Sequence, residues 1–160
     1  MSRYLPIVFA GAVLAAGCGA TTRSTTASVP NPVYPTLTSA VATFVSTQHG
    51  KDAGSPLTVQ LLRNSAELAG DIQVTSVKFD DNSSSGPFAF SMRGPFDIRD
   101  IDNGQLRIRF SPDGADEWTF DLHLTTRFTD GTARNFLWRG VRLDNANPER
   151  VLTLAAARVP

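Results

Sequence analysis

The sequence predicts an all-β protein with a single antiparallel β-sandwich of about seven or eight strands. Several short runs between residues 37 and 159 alternate apolar and polar side chains with a period of two, as strands with one buried face do. Turn residues separate these runs at intervals of about 8–12 residues, the spacing expected in a sandwich. Residues 36–160 show no apolar period of 3.6, so we expect no amphipathic helix.

The first half of the predicted domain contains four candidate strands that are rich in β-branched and aromatic residues. They are residues 37–45 (LTSAVATFV), 57–61 (LTVQL), 72–79 (IQVTSVKF) and 88–90 (FAF). A loop is predicted before the fourth strand at residues 82–86 (NSSSG), and a bend after it at Gly94-Pro95.

The second half alternates more regularly and predicts four further strands. They are residues 105–110, a run from Trp118 through Leu124, a run that contains Phe136 and Trp138, and residues 151–159. Residues 102–104 (DNG) predict a tight turn, and Asp130-Gly131 between two alternating runs predicts a hairpin. The alternation places Trp118 and Trp138 on core-facing positions.

Residues 1–17 are predicted to be an export signal. Arg3 precedes an apolar run, residues 4–16, of 13 residues, which is too short to cross a bilayer of roughly 30 Å as a helix. A charged start, a short apolar core and small residues at its end are typical of a secretory signal peptide.

The end of this segment, residues 14–18 (LAAGC), resembles the lipobox of bacterial lipoproteins, in which a small residue precedes an acylated cysteine. The family usually has Leu three positions before the cysteine, whereas this chain has Ala15 there and Leu14 one position earlier. Cys18 is the only cysteine, so no disulfide explains it. The resemblance implies that Cys18 is lipidated and, because Gly19 is not Asp, that the protein lies in the outer membrane of a cell that has one. The alternative is plain secretion with an incidental thiol.

The remaining chain divides into a tether and one domain. Residues 18–35, which begin with the lipidated cysteine, are rich in Thr, Ser and Pro and predict a flexible linker that cannot bury enough apolar surface to fold. Residues 36–160 form the predicted β-sandwich domain. Without the signal, the chain carries 14 Lys and Arg (15 less Arg3) against 15 Asp and Glu, which predicts no nucleic-acid partner.

Residues 36–141 resemble a degenerate choice-of-anchor module of the abnormal spindle/Hydin type. The matching segments are residues 41–44 (VATF), 57–64 (LTVQLLRN), 72–77 (IQVTSV), 86–90 (GPFAF), 103–112 (NGQLRIRFSP) and 138–141 (WRGV). The resemblance implies an immunoglobulin-like β-sandwich with a non-catalytic role in protein interaction or structure. It transfers no binding residues, because the family has no fixed site.

The sequence offers few groups for catalysis or metal binding, so we expect no enzyme and no cofactor. His49 and His123 are the only histidines, and no Cys or His cluster has zinc spacing. One candidate calcium loop comprises Asp97, Asp100, Asp102 and Asn103, and a second comprises Asp80, Asp81 and Asn82. The alternative for both is turn chemistry, because Asp and Asn side chains hydrogen-bond to nearby backbone.

A basic patch is the other candidate binding surface. It comprises Arg107, Arg109, Arg127, Arg134 and Arg139 on the strands of the second half. Such a patch could bind an acidic partner, an anionic glycan or lipid headgroups. The alternative is that these arginines pair with Asp across strands, with Asp121 as a partner.

These observations predict a cell-envelope lipoprotein, anchored to the membrane through Cys18, whose domain is an interaction or structural module with a protein partner. Two alternatives remain open. One is a docking subunit of a secretion or surface assembly, and the other is a carbohydrate- or ligand-binding sandwich, which would need an exposed aromatic platform.

Overall fold

Two antiparallel sheets of five strands each form the domain in the computed structural model, which describes residues 33–159. The prediction of an all-β sandwich is confirmed, with ten strands instead of seven or eight. Two very short strands account for the difference, since two residues are too few to show an alternating pattern. Cys18 and the predicted signal, and all of the predicted linker except residues 33–35, lie outside the described residues.

The strands are β1 (Leu37–Ser46), β2 (Leu57–Arg63), β3 (Glu67–Val74), β4 (Ser84–Ala89), β5 (Ser91–Met92), β6 (Gln105–Phe110), β7 (Trp118–Phe128), β8 (Ala133–Leu143), β9 (Glu149–Thr153) and β10 (Arg158–Val159). The helix α1 (Ile98–Asp102) precedes β6, and a single turn of 3₁₀ helix (Ala155–Ala157) separates β9 from β10. The first sheet has the order β10-β8-β7-β1-β4, and the second has the order β5-β3-β2-β6-β9.

An aromatic cluster joins the two sheets in the core. Trp118 of β7 lies 6.2 Å from Phe110 of β6 in the opposite sheet, measured between ring centroids. Phe44 of β1 lies 5.3 Å from Trp118 and 5.5 Å from Phe120, and all three rings are fully buried. Aromatic pairs at such separations stabilise a core beyond the area that they bury.

The predicted hairpin at Asp130-Gly131 is confirmed, since it joins β7 to β8. The Asp130 side chain accepts a hydrogen bond from the Thr132 backbone N–H at 2.9 Å, and Gly131 has a φ of +81°. A left-handed conformation of this kind favours glycine, which explains the Asp-Gly sequence.

The tight turn predicted at residues 102–104 is instead the end of α1. Asn103 caps the helix and its backbone N–H donates to the Arg99 carbonyl. Five residues cannot show the 3.6-residue period by which a helix is recognised in sequence, so α1 was not expected. Within the described range, no helix is long and apolar enough to cross a membrane.

The last predicted strand is divided by the burial of Leu154. This fully buried side chain packs against Gly104, and its backbone N–H donates to the Gly104 carbonyl at 3.1 Å. A Cβ atom on Gly104 would lie 2.8 Å from Leu154 Cδ1, so only glycine fits there. The chain therefore leaves the second sheet after β9 and reaches the first sheet as β10.

A bulge interrupts β8 opposite Asp121. Phe120 pairs with Val141 and Leu122 pairs with Trp138, so Arg139 and Gly140 together face one residue of β7. The Gly140 N–H donates to Asp121 Oδ1 at 2.8 Å, and Gly140 has a φ of +60°. Bulges of this kind change the direction of a strand and of its side chains.

We expect Phe44→Ala to lower the free energy of unfolding by about 3–5 kcal/mol, because it removes the ring that the aromatic cluster surrounds. The matched control is Thr43→Ala, on the outward face of the same strand, which should change it by less than about 0.5 kcal/mol. Urea unfolding followed by circular dichroism measures both. Equal unfolding midpoints for the two variants would contradict this description of the core.

Candidate functional site

Two of the five predicted arginines lie side by side on the outer face of the second sheet, where both contact Glu149. Arg109 Nε lies 2.6 Å from Glu149 Oε2, and Arg107 Nε lies 3.4 Å from Glu149 Oε1. The register places Glu149 on the adjacent strand β9, directly opposite Arg109. The expected partner, Asp121, belongs to the other sheet, and Glu149 instead offsets one of the two positive charges.

The other three arginines belong to the first sheet. Arg127 lies on its outer face, whereas Arg134 is opposite the buried Thr126 and so faces inward, 3.7 Å from Asp102. Arg139 lies in the β8 bulge. The predicted basic patch is therefore not one surface. Alternation along a strand shows which residues share its face, but it does not show which sheet the strand joins.

A groove between β8 and β9 brings Arg139 together with Arg142 and Arg150, which the sequence had not indicated. The groove has a volume of about 460 Å³. Its apolar lining includes Trp138, Val141, Leu152 and Ala157. We refer to it below as the arginine groove.

Two of the three groove arginines have no charged partner in the part of the chain that the structure describes. Arg142 lies 2.9 Å from Glu117 and 3.3 Å from Asp144. Across residues 33–159, no carboxylate lies within 4.0 Å of Arg139 or Arg150. The register places Arg150 opposite the buried Ile108, so it faces the space between the sheets. The groove therefore combines an apolar lining with positive charge that no described carboxylate neutralises.

Strand edges without partners border the arginine groove. β10 pairs with β8 only through Phe136 and Asn135, and β9 pairs with β6 alone. In the described part of the chain, the β8 edge from Leu137 to Leu143 on the side away from β7 therefore has no strand beside it. Backbone groups on such an edge are free to hydrogen-bond to another segment.

The two tryptophans have different environments. Trp118 is fully buried, and its Nε1 donates to Ser46 Oγ at 3.0 Å. Trp138 also faces inward, opposite Leu122, but it is only half-buried and lines the arginine groove. Its ring stacks on Phe136 with centroids 6.0 Å apart. Among the described residues that line this groove, Trp138 is thus the large aromatic side chain that a ligand would contact.

A second cleft, which is acidic, lies beside the arginine groove and was not predicted. It has a volume of about 560 Å³, and its lining includes His49, Asp52, Asp81, Asp113, Asp116 and Glu117. Asp81 Oδ1 accepts the Gly50 N–H at 2.6 Å, and Asp116 Oδ2 accepts the Asp52 N–H at 3.1 Å. No group of three or more His, Cys, Asp or Glu side chains could hold a metal ion among the residues described.

Lys51 lies fully buried next to the acidic cleft. Its Nζ donates to the backbone oxygens of Ser55 at 2.7 Å and Asp52 at 2.8 Å, and it lies 5.3 Å from the Phe79 ring centroid. Burial lowers the pKa of Lys51, while the charges of Asp116 and Asp52 act in the opposite direction. Lys51 thus closes this end of the sandwich by hydrogen bonds to the loop that follows it.

Three residues of the first candidate calcium loop, Asp97, Asp100 and Asn103, cap helix α1. The Asp97 side chain accepts the backbone N–H of Arg99 at 2.8 Å, and Asp100 Oδ2 accepts the Asp97 N–H at 3.0 Å, which is a capping box. Hydrogen bonds from Arg99 also lower the pKa of Asp97. Asp102 instead lies between Arg134 and Arg158. These contacts favour the turn-chemistry alternative.

The residues of the second candidate calcium loop make separate contacts, and the two histidines lie at different places on the surface. Asp80 lies 3.1 Å from Lys78, while Asp81 accepts the Gly50 N–H and Asn82 has a left-handed φ of +51°. His49 lines the acidic cleft, whereas His123 is exposed on the outer face of the first sheet.

In comparisons with known proteins, no family model matches the chain and no curated protein does. The resemblances to the lipobox and to the abnormal spindle/Hydin module therefore remain predictions.

We expect Asp97→Ala to lower the free energy of unfolding at pH 7 by about 1 kcal/mol, with or without calcium, because it removes a helix cap. The pKa of Asp97 is lowered in the folded protein, so its contribution is complete above the unfolded value of about 3.9 and is lost on acidification. The control is Asp113→Ala, an exposed carboxylate. Thermal unfolding tests this, and a large calcium-dependent rise in melting temperature that requires Asp97 would contradict it.

The lowered pKa of Lys51 predicts a specific pH dependence of stability. The folded protein releases the Lys51 proton at a lower pH than the unfolded chain, whose lysines titrate near about 10.4. The free energy of unfolding should therefore rise toward pH 10 relative to that of Lys51→Met. Lys78→Met is the control, because Lys78 is exposed and the adjacent Asp80 raises its pKa. Urea unfolding measures the free energy of unfolding as a function of pH. Parallel profiles for the unsubstituted protein and Lys51→Met would contradict a lowered pKa of Lys51.

Proposed function

We propose that this protein is a lipid-anchored protein of the cell envelope whose β-sandwich is a non-catalytic module that binds another protein. The observation that carries the binding role is the arginine groove, which combines Trp138 with two arginines and two strand edges that have no partner within residues 33–159. Guanidinium groups beside apolar side chains are characteristic of recognition surfaces, where arginine and aromatic residues are enriched.

The anchoring role is supported by the sequence alone. The signal of residues 1–17 would be removed, and Cys18 would carry the acyl chains. Two or more chains hold a protein stably at a membrane, whereas one gives only marginal binding. A flexible linker of residues 18–35 would span on the order of 20–25 Å. The sandwich would thus meet its partner a short distance from the membrane surface.

A carbohydrate- or ligand-binding sandwich is the second candidate function, and the position of Trp138 favours it. Sugars stack on exposed aromatic rings, and Trp138 lines the arginine groove. The ring is half-buried and faces inward, however, so it does not offer a flat platform. A docking subunit of a secretion or surface assembly would be a special case of the protein-binding proposal.

Cys18→Ser should abolish labelling by a fatty-acid analogue and release the protein into the soluble envelope fraction. The serine cannot form the thioether through which the resemblance implies lipid attachment. Ser28→Ala, in the same linker, is the control and should leave labelling unchanged. Membrane association that persists in Cys18→Ser would contradict the anchoring proposal.

The binding role is tested separately by crosslinking in intact envelopes and recovery of the anchored protein. One discrete protein partner is expected. Recovery of no partner, together with quenching of Trp138 fluorescence by oligosaccharides, would favour the carbohydrate alternative.

A further inference from the structure

We propose that the arginine groove binds an extended acidic segment of the partner protein, which pairs as an added strand with the free edge of β8. This inference rests on the proposed protein-binding function and names the chemistry of the partner. Three independent features of the groove support it, namely its backbone edge, its apolar lining and its charge.

The backbone edge fits a short strand. β10 occupies the edge of β8 at Asn135 and Phe136 and pairs no further along it. Residues 137–143 continue that edge over about 20 Å, at roughly 3.3 Å per residue. An extended peptide that pairs with an exposed edge gains its affinity from main-chain hydrogen bonds and its specificity from alternate side chains. The bulge at Arg139-Gly140 limits regular pairing to a few residues on each side.

The apolar lining fits alternate side chains of such a segment. Successive side chains of a strand point to opposite faces, so every second residue would enter the groove. There it would contact Trp138 and Leu152, both half-buried and packed against the core. A strand that alternates apolar and acidic residues would satisfy this pattern.

The positive charge of the arginine groove favours an acidic segment. Arg139 and Arg150 have no carboxylate within 4.0 Å in the region described, and Arg forms strong paired hydrogen bonds with carboxylates. The linker of this chain does not fit, because residues 18–35 contain Arg23 and no carboxylate. A nucleic acid or an anionic membrane would match the charge, but neither has a peptide backbone that can pair as a strand with the β8 edge.

A competing explanation is that Arg150 protects the edge of β9. Inward-pointing charges are one of the devices by which natural edge strands avoid pairing with other chains. On that account the groove has no preferred ligand, and neither the unsubstituted protein nor Arg150→Glu would bind an acidic peptide.

The probe is a synthetic seven-residue peptide that alternates Glu with Val and Leu, and its control has Lys in place of Glu. Binding to the full chain is followed by tryptophan fluorescence, to which Trp138 and the buried Trp118 both contribute, and by amide hydrogen exchange. We expect at least tenfold tighter binding of the acidic peptide and slower exchange in residues 137–143. Arg139→Glu and Arg150→Glu should each weaken binding at least fivefold. Arg127→Glu, which makes the same charge change on the outer face of the first sheet, should leave it unchanged.

Several results would overturn the inference. These are equal binding of the two peptides, an equal loss in Arg127→Glu, or protection only of amides outside residues 137–143. Binding to a single-stranded oligonucleotide or to phosphatidylglycerol vesicles as tight as to the acidic peptide would also overturn it. The proposed function would survive any of them if crosslinking recovered a partner through another surface. If crosslinking recovered no partner while the acidic peptide bound as expected, the binding site would be supported and the proposed protein-binding role in the cell envelope would be contradicted.

Discussion

The burial of Leu154 against Gly104 is the contact on which the arginine groove depends. It fixes the point at which the chain leaves β9 and crosses to the first sheet, where β10 pairs with β8 at Asn135 and Phe136. Because β10 is two residues long, most of the β8 edge has no strand beside it within residues 33–159. The groove is therefore a consequence of where the sandwich closes, and its lining belongs to the same core that holds the sheets together.

Two neighbouring clefts of this domain carry opposite charges although the chain as a whole is neutral. Carboxylates line one cleft and three arginines line the neighbouring groove, and the ion pair between Glu117 and Arg142 lies between them. Net charge excluded a general attraction to nucleic acid, but it gave no indication of this local separation. Electrostatic complementarity acts through such local surfaces, which guide orientation and the choice of partner.

Much of the fold could be predicted because alternation and turn chemistry are local properties. The inward face of β7 and the Asp130-Gly131 hairpin followed from neighbouring residues alone. The arginine groove could not be predicted, since Arg139 and Arg150 meet only through a bulge and a crossing between sheets. The division of the last strand at Leu154 depends on a distant glycine, and the dispersal of the predicted patch depends on the sheet that each strand joins.

Site-specific photo-crosslinking in living cells tests the central claim most directly. A photoreactive amino acid replaces Leu152 inside the arginine groove or, in a matched variant, Thr43 on the outer face of the first sheet. Irradiation should yield one discrete crosslinked protein from position 152 and none from position 43. The same crosslinked product from both positions, or from position 43 alone, would contradict the account.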